Sequence, residues 1–292
     1  MRRARFFHRV LFSAPAAPAR GDAVDGSLTL ENLVLRAMTF PEDDADHPLA
    51  NRFRAFLRRP AFPCVGAKSA LQRGQLRLVV AGDLAAGRDD DRIYPALLAF
   101  VARTREAPGL FQSFAVLFEG PTSLSEEAFE THLWARIQAL SDRDSRVGLP
   151  YDPRVRADPD DPHFALSLGG EAFFVVGLHP GASRPARRFE APALVFNLRE
   201  QFVRLRAEGR YESLRAAILD RDLAWTGSIN PMLARHGETS EARQYSGRLV
   251  GEAWTCPFRR RETAPRGDPD QVARDLRAGA FLVPPRARTE QL

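Results

Sequence analysis

The sequence predicts an α+β protein in which helices pack on a mixed, largely antiparallel sheet, within a single compact domain. Strand-like and helix-like segments alternate in the first half, whereas a glycine pair at Gly169-Gly170 signals a hairpin later in the chain. No glycine-rich phosphate-binding motif follows any strand-like segment, which disfavours a doubly wound nucleotide fold. The 292 residues, of which 44% are hydrophobic, suffice for one sizeable core.

Two helices and two strands are predicted in the first half. Within residues 27–60, the segment 48–59 places four apolar side chains on one helical face before Pro60 ends the helix: Leu49, Phe53, Phe56 and Leu57. A second helix is predicted over 89–105, opened by acids that suit its N-terminus. The apolar runs 75–82 and 113–118 predict strands, the second one buried on both faces.

The second half is predicted to mix a hairpin with helices. Ser123 and Glu126 fit a capping box for a helix that reaches about residue 140. The Asp- and Pro-rich segment 141–162 predicts a surface loop, and the alternation over 164–178 predicts a hairpin. A further strand and two helices are then expected over 193–197, 199–209 and 211–225.

The two ends are expected to lie outside the fold. Residues 1–26 predict a disordered basic extension, residues 27–258 the folded domain and residues 259–292 a low-order C-terminal tail. No apolar run is long enough to cross a bilayer, and the apolar part of the basic start is too short for an export signal. We therefore expect a cytoplasmic protein that does not use a membrane as a partner.

The net charge of +5 is not typical of a nucleic-acid binder. Lys68 is the only lysine, and the arginines are scattered and often alternate with acids, as in residues 88–92. Nucleic-acid binders usually concentrate positive charge on one face, and no helix-turn-helix or zinc-finger spacing is visible. We expect no nucleic-acid partner.

Two cysteines lie in distinctive local sequences. Cys64 follows Pro63 and precedes Val65-Gly66, a setting that can hold its sulfur rigidly towards a pocket, although most free cysteines are simply small buried hydrophobes. Cys256 lies between aromatic residues and before a proline, where a thiolate is a plausible ligand for haem iron. One widely separated pair gives no disulfide framework.

Two polar segments offer candidate binding residues. After the strand that ends near His179 comes a loop with Arg184, Arg187 and Arg188, whose guanidinium groups could bind an anionic ligand or could simply be solvated. His179 could ligate a metal or move protons. Residues 227–248 contain many amide, hydroxyl and carboxylate side chains, which must bond to one another or to a ligand if they are buried.

Taken together, these segments resemble the YqcI/YcgG family, and most closely its guanitoxin-pathway N-hydroxylase branch. The resemblance runs in order from Phe62 to Phe258 and includes Pro63-Cys64, AFFVVGLHP at 172–180, LVFN at 194–197, GSINPML at 227–233 and the Cys256-Pro257-Phe258 end. The terminal segments 1–47 and 259–292 and His132 depart from the family pattern.

The resemblance implies that residues 27–258 form a catalytic domain, a haem-dependent oxygenase that hydroxylates a guanidine nitrogen of arginine or an arginine-derived compound. Its implied cofactor is haem b, used with an external reductant, possibly a reductase, and dioxygen or peroxide. Cys64 is the first candidate for the axial metal ligand, Cys256 the second and His179 the third. Arg184, Arg187 and Arg188 would then be candidates for the haem propionates.

The small guanidino substrate calls for carboxylates and aromatic rings. Glu238, Glu241, Tyr245 and Asn230 have suitable side chains, and Glu119 is a further option. The alternative to an enzyme is a non-catalytic haem sensor or carrier, because the same residues would serve a haem that is merely held. A domain without a cofactor, whose cysteines belong to the core, is also possible.

Overall fold

A computed structural model describes residues 44–233 and 237–261, and its centre is a five-stranded sheet. The strands are β1 (Leu76–Asp83), β2 (Ser113–Gly120), β3 (Leu166–Leu168), β4 (Glu171–Leu178) and β5 (Ala193–Leu198). They lie in the order β1-β2-β5-β4-β3. Only β1 and β2 pair in parallel, and the other three pairings are antiparallel, which confirms the predicted α+β class.

Helices cover both faces of the sheet. They are α1 (Pro48–Arg58), α2 (Val65–Gln72), α3 (Asp90–Glu106), α4 (Glu126–Arg146), α5 (Arg199–Ala207), α6 (Tyr211–Thr226) and the short α7 (Ala242–Tyr245). One face packs on α3, α4, α7 and the segment around Cys256 and Phe258. The other face packs on α1 and α2, and side chains of α5 and α6 complete that layer.

The alternation of side chains along the central strands decides what faces each layer. In β5, Leu194 and Phe196 join the core beneath α3 and α4, whereas Ala193 and Val195 face the layer of α1 and α2. Asn197 has the parity of Val195, so it too faces this second layer. A polar side chain is thereby placed between the sheet and α2.

Several sequence predictions about local structure were wrong. Helix α4 begins after Ser125, whose hydroxyl accepts a hydrogen bond from Ala128 N, and it continues to Arg146, so the predicted loop 141–162 starts too early. The reason is tertiary packing, since Ser141, Asp142 and Asp144 are buried against the rest of the fold. Helices α2 and α7 were not predicted; both are short, at eight and four residues.

The end of the described chain is held against α4. Arg259 N donates to Gln138 Oε1 at 2.9 Å, and Arg261 pairs with Asp142 at 3.1 Å. The first three residues of the predicted low-order tail therefore pack on the domain, whereas the predicted extension 1–26 lies outside the described residues. No helix in the described part of the chain is long and apolar enough to cross a bilayer.

Candidate functional site

An apolar cavity lies between the sheet and helices α2 and α6. It has two compartments of about 270 and 200 Å³, each smaller than the range of about 300–1,000 Å³ typical of a ligand site. Both compartments are lined by Cys64, Ala67, Ser113, Val176, Asn197, Ile218 and Leu233, so they adjoin one another. The strands supply a rigid floor, because Ser113 Oγ donates to Asn197 Oδ1 at 2.8 Å across the β2–β5 pair.

Cys64 lies in the wall common to both compartments, at the N-cap of α2. Pro63 fixes the entry of the chain, and the Cys64 Sγ accepts a hydrogen bond from Ala67 N at 3.4 Å. Burial raises the pKa of the thiol, while the N–H groups of Ala67 and Gly66 and the charge of Arg187 oppose that rise. Burial outweighs these groups and favours the protonated thiol, so a thiolate would need an additional positive charge such as a metal ion.

Arg187 is a half-buried cation in the same compartment wall as this sulfur. Its guanidinium lines the smaller compartment and donates to three backbone oxygens, Gly177 O at 2.9 Å, Tyr245 O at 3.1 Å and Gln244 O at 3.0 Å. Burial lowers its pKa to about 10, and the negative charge of a Cys64 thiolate would raise it. Among the described residues no carboxylate lies within ion-pair distance of it, and it lines the same compartment as Cys64.

Glu241 lines the larger compartment and is the only carboxylate among the described residues that does so. Its Oε1 lies 3.0 Å from the hydroxyl of Tyr245. That hydroxyl has one proton, which it can donate to Phe173 O at 3.0 Å, while it accepts from Leu166 N at 3.2 Å. The hydroxyl also donates to Glu241 Oε1, so its single proton is shared between Phe173 O and Glu241.

Burial dominates the pKa of Glu241. Burial raises it to about 7, against the charges of Arg199 and Arg206 and the Tyr245 hydrogen bond. Tyr245 itself is fully buried in the core on the opposite face of the sheet and does not line the cavity. Tyr245 therefore positions Glu241 and does not contact the cavity contents.

The other two predicted substrate residues differ in position. Asn230 lines the smaller compartment, and its Oδ1 accepts from Met232 N at 3.0 Å, which shapes the turn after α6. The side chain of Glu238 is exposed and is absent from the lining of either compartment. Of the four predicted residues, Glu241 and Asn230 are brought to the cavity.

The predicted propionate arginines already have protein partners. Arg184 pairs with Asp222 at 2.5 Å and also donates to Ser228 O, while Arg187 is held by the three carbonyls described above. Arg188 donates to Ala182 O and Ser183 O and lines a separate shallow cleft on the outer side of α1. Of these three arginines, Arg184 and Arg187 border the cavity and Arg188 does not.

His179 and Cys256 lie away from the cavity lining. His179 is buried and stacks on Phe129 at 4.2 Å between ring centroids, in the core of the opposite layer, where burial lowers its pKa. Cys256 is 1% exposed in the same layer, packed among aromatic residues, and burial raises the pKa of its thiol to about 12. The structure brings neither of them to Cys64.

Arginines of α5 and α6 were missed by the sequence analysis. Arg199, Arg206 and Arg215 line the larger compartment together with Tyr211. The sequence does place Tyr211, Arg215 and Ile218 on one face of α6 by their helical spacing. That spacing alone does not show whether the face is solvated or packs beside the sheet.

Comparison with known proteins identified one family. The model of the YqcI/YcgG family matches residues 53–259, which is well over half of the chain and includes the whole cavity lining. No curated protein and no solved structure matched the chain.

Proposed function

Since the chain belongs to the YqcI/YcgG family, we propose that it is a haem-dependent oxygenase that hydroxylates a guanidine nitrogen of arginine or an arginine-derived compound. The observation that supports this most is Cys64, whose sulfur lies at a helix N-terminus and in the wall of an apolar cavity that a half-buried arginine, Arg187, also lines. Such a sulfur would suit the role of protein ligand to a haem iron.

The residues of the cavity fit the haem group on two further counts. Most of the lining is apolar, as the porphyrin faces require, and arginines in both compartments can balance the negative charge of thiolate and propionates. When bound, haem would supply an iron that activates oxygen, and a thiolate ligand favours cleavage of the O–O bond.

The protein's own residues would bind and orient the substrate. The carboxyl group of Glu241 would bind the guanidinium, and the hydrogen bond from the Tyr245 hydroxyl would orient that carboxyl group. A cationic guanidinium favours the ionised form of Glu241, so substrate binding releases its proton near neutral pH. Asn230 would supply an amide to the smaller compartment.

The reaction balances with an external two-electron reductant. One atom of dioxygen enters the N–H bond of the guanidine, and the other leaves as water after uptake of two electrons and two protons. Peroxide could replace dioxygen and the reductant together. The electron donor, which the proposal names only as an external reductant or a reductase, lies outside this chain.

The experiment that tests the proposal is turnover by the haem-loaded protein. Incubation with arginine and a reductant under air should give a product heavier by one oxygen atom, and the Glu241→Gln variant should give much less of it, while the exposed Glu238→Gln change serves as the control. A haem-loaded protein that oxidises no guanidino compound would contradict the enzyme and favour a haem carrier or sensor.

A further inference from the structure

The wall of the larger compartment contains two arginines that form no ion pair with a carboxylate in the described part of the chain. Arg206, at the end of α5, and Arg215, on α6, are both half-buried and both line the compartment. Among the described residues, no carboxylate lies within ion-pair distance of either guanidinium. By contrast, Arg204 on the same helix as Arg206 is exposed and pairs with Glu208 at 2.9 Å.

Tyr211 contacts the Arg206 guanidinium and shares a face of α6 with Arg215. The Arg206 guanidinium carbon lies 4.1 Å from the centroid of the Tyr211 ring. Arg215 follows Tyr211 by four residues in α6, so the two side chains are neighbours on one helical face. Arg206 is therefore fixed by a ring that adjoins Arg215.

This part of the cavity has a surplus of positive charge. Arg206 and Arg215 line it, and Glu241 is the one acid among the described residues there. Because the pKa of Glu241 is raised to about 7, this acid is only partly ionised near neutral pH and offsets only part of that charge. Like charges brought together in a partly apolar cavity destabilise the fold unless an anion accompanies them.

We propose that Arg206 and Arg215 form a carboxylate-binding site in the wall of the larger compartment. The forked guanidinium groups bind a carboxylate in a bidentate manner, which point charges cannot reproduce. The inference rests on the proposed function in that the carboxylate has two possible sources there, a haem propionate or the carboxylate of the substrate. Both sources share the same chemistry.

The first arm of the test measures haem binding. Full-length apoprotein is titrated with haem b and with haem dimethyl ester, whose propionates carry no charge, and binding is followed by the Soret absorption. With propionates as the ligand, the double variant Arg206→Gln/Arg215→Gln should bind haem b between about tenfold and a hundredfold more weakly. Its affinity for the ester should match that of the unmodified protein.

The second arm measures substrate binding by calorimetry, with arginine and with agmatine, which lacks the carboxylate. If the substrate supplies the carboxylate, the double variant should lose arginine affinity by the same factor and leave agmatine affinity unchanged. This arm needs no haem, so failure of the haem proposal and failure of the carboxylate site can be told apart.

The control variant is Arg221→Gln, which changes an exposed arginine on α6 that does not line the cavity. It should behave as the unmodified protein in both arms. Circular dichroism identifies any unfolded variant. In that case the double variant Arg206→Lys/Arg215→Lys is used instead, because lysine keeps the positive charge but cannot bind a carboxylate in the bidentate manner of a guanidinium group. The site is overturned if charged and uncharged ligands lose affinity equally, or not at all, in both arms.

Discussion

Replacing Glu241 by glutamine should make the stability of the protein less dependent on pH. Burial raises the pKa of Glu241 from its ordinary value of 4.5 to about 7. At 1.36 kcal/mol per pKa unit, this shift corresponds to a free energy of about 3 kcal/mol. The folded state binds more protons than the unfolded state between pH 4.5 and 7, so its stability falls as the pH rises through this window.

The Glu241→Gln variant keeps a neutral amide at every pH and avoids this loss. The difference in unfolding free energy between variant and unmodified protein should therefore shift by about 3 kcal/mol in favour of the variant from pH 4.5 to pH 8. Urea unfolding at several pH values measures it. Asp144, whose pKa burial also raises to about 7, titrates in both proteins and cancels from the difference.

The exposed Glu238→Gln change, three residues away, is the matched control and should show no such shift. The reasoning would be refuted if the difference in unfolding free energy between Glu241→Gln and the unmodified protein were the same at pH 5 and pH 8. Glu241 would then not have a raised pKa in the folded protein. That result would also remove the reason to count the larger compartment as strongly positive.

Two further predictions concern the frame of the cavity. Gly177→Ala should lower the free energy of unfolding by about 1–3 kcal/mol, because its new Cβ would lie 2.7 Å from Leu133 Cδ1. Gly251 has open space around it, so the control Gly251→Ala should change the stability measured by thermal unfolding little. Asp222→Ala should lower the free energy of unfolding in urea by about 3–5 kcal/mol, because it leaves the buried Arg184 without its counter-ion. The double change Arg184→Leu/Asp222→Leu should recover most of that loss. An equal loss of unfolding free energy in both variants would contradict the ion-pair reasoning.

The sheet was predictable from the sequence because its strands are short apolar runs. The segment 113–118 is nearly continuous in apolar residues, and it forms the buried part of β2. The hairpin at Gly169-Gly170 was also legible, since both glycines have the positive φ that a tight connection requires. Helix α2 was missed because eight residues give too little periodicity, although Cys64 caps it.

The choice between the two cysteines could not be read from the sequence. Cys64 and Cys256 are both flanked by prolines and aromatic residues, and only the strand order shows that they lie in different layers. The same holds for the arginines. In the sequence, the arginines of the loop after His179 could bind an anion, but Arg184 pairs with Asp222, 38 residues away. Conversely, the sequence suggests that Arg206 and Arg215 are solvated, yet both line the cavity.

The central claim, that Cys64 binds the iron of a haem in this cavity, is tested most directly by absorption spectra of protein made in haem-replete cells, reduced and exposed to carbon monoxide. We expect a Soret band with the red shift typical of a thiolate ligand in the unmodified protein and in Cys256→Ser, and the loss of that shift or of the haem in Cys64→Ser. An unmodified protein without a Soret band, or a Cys64→Ser variant with an unchanged spectrum, would contradict the account.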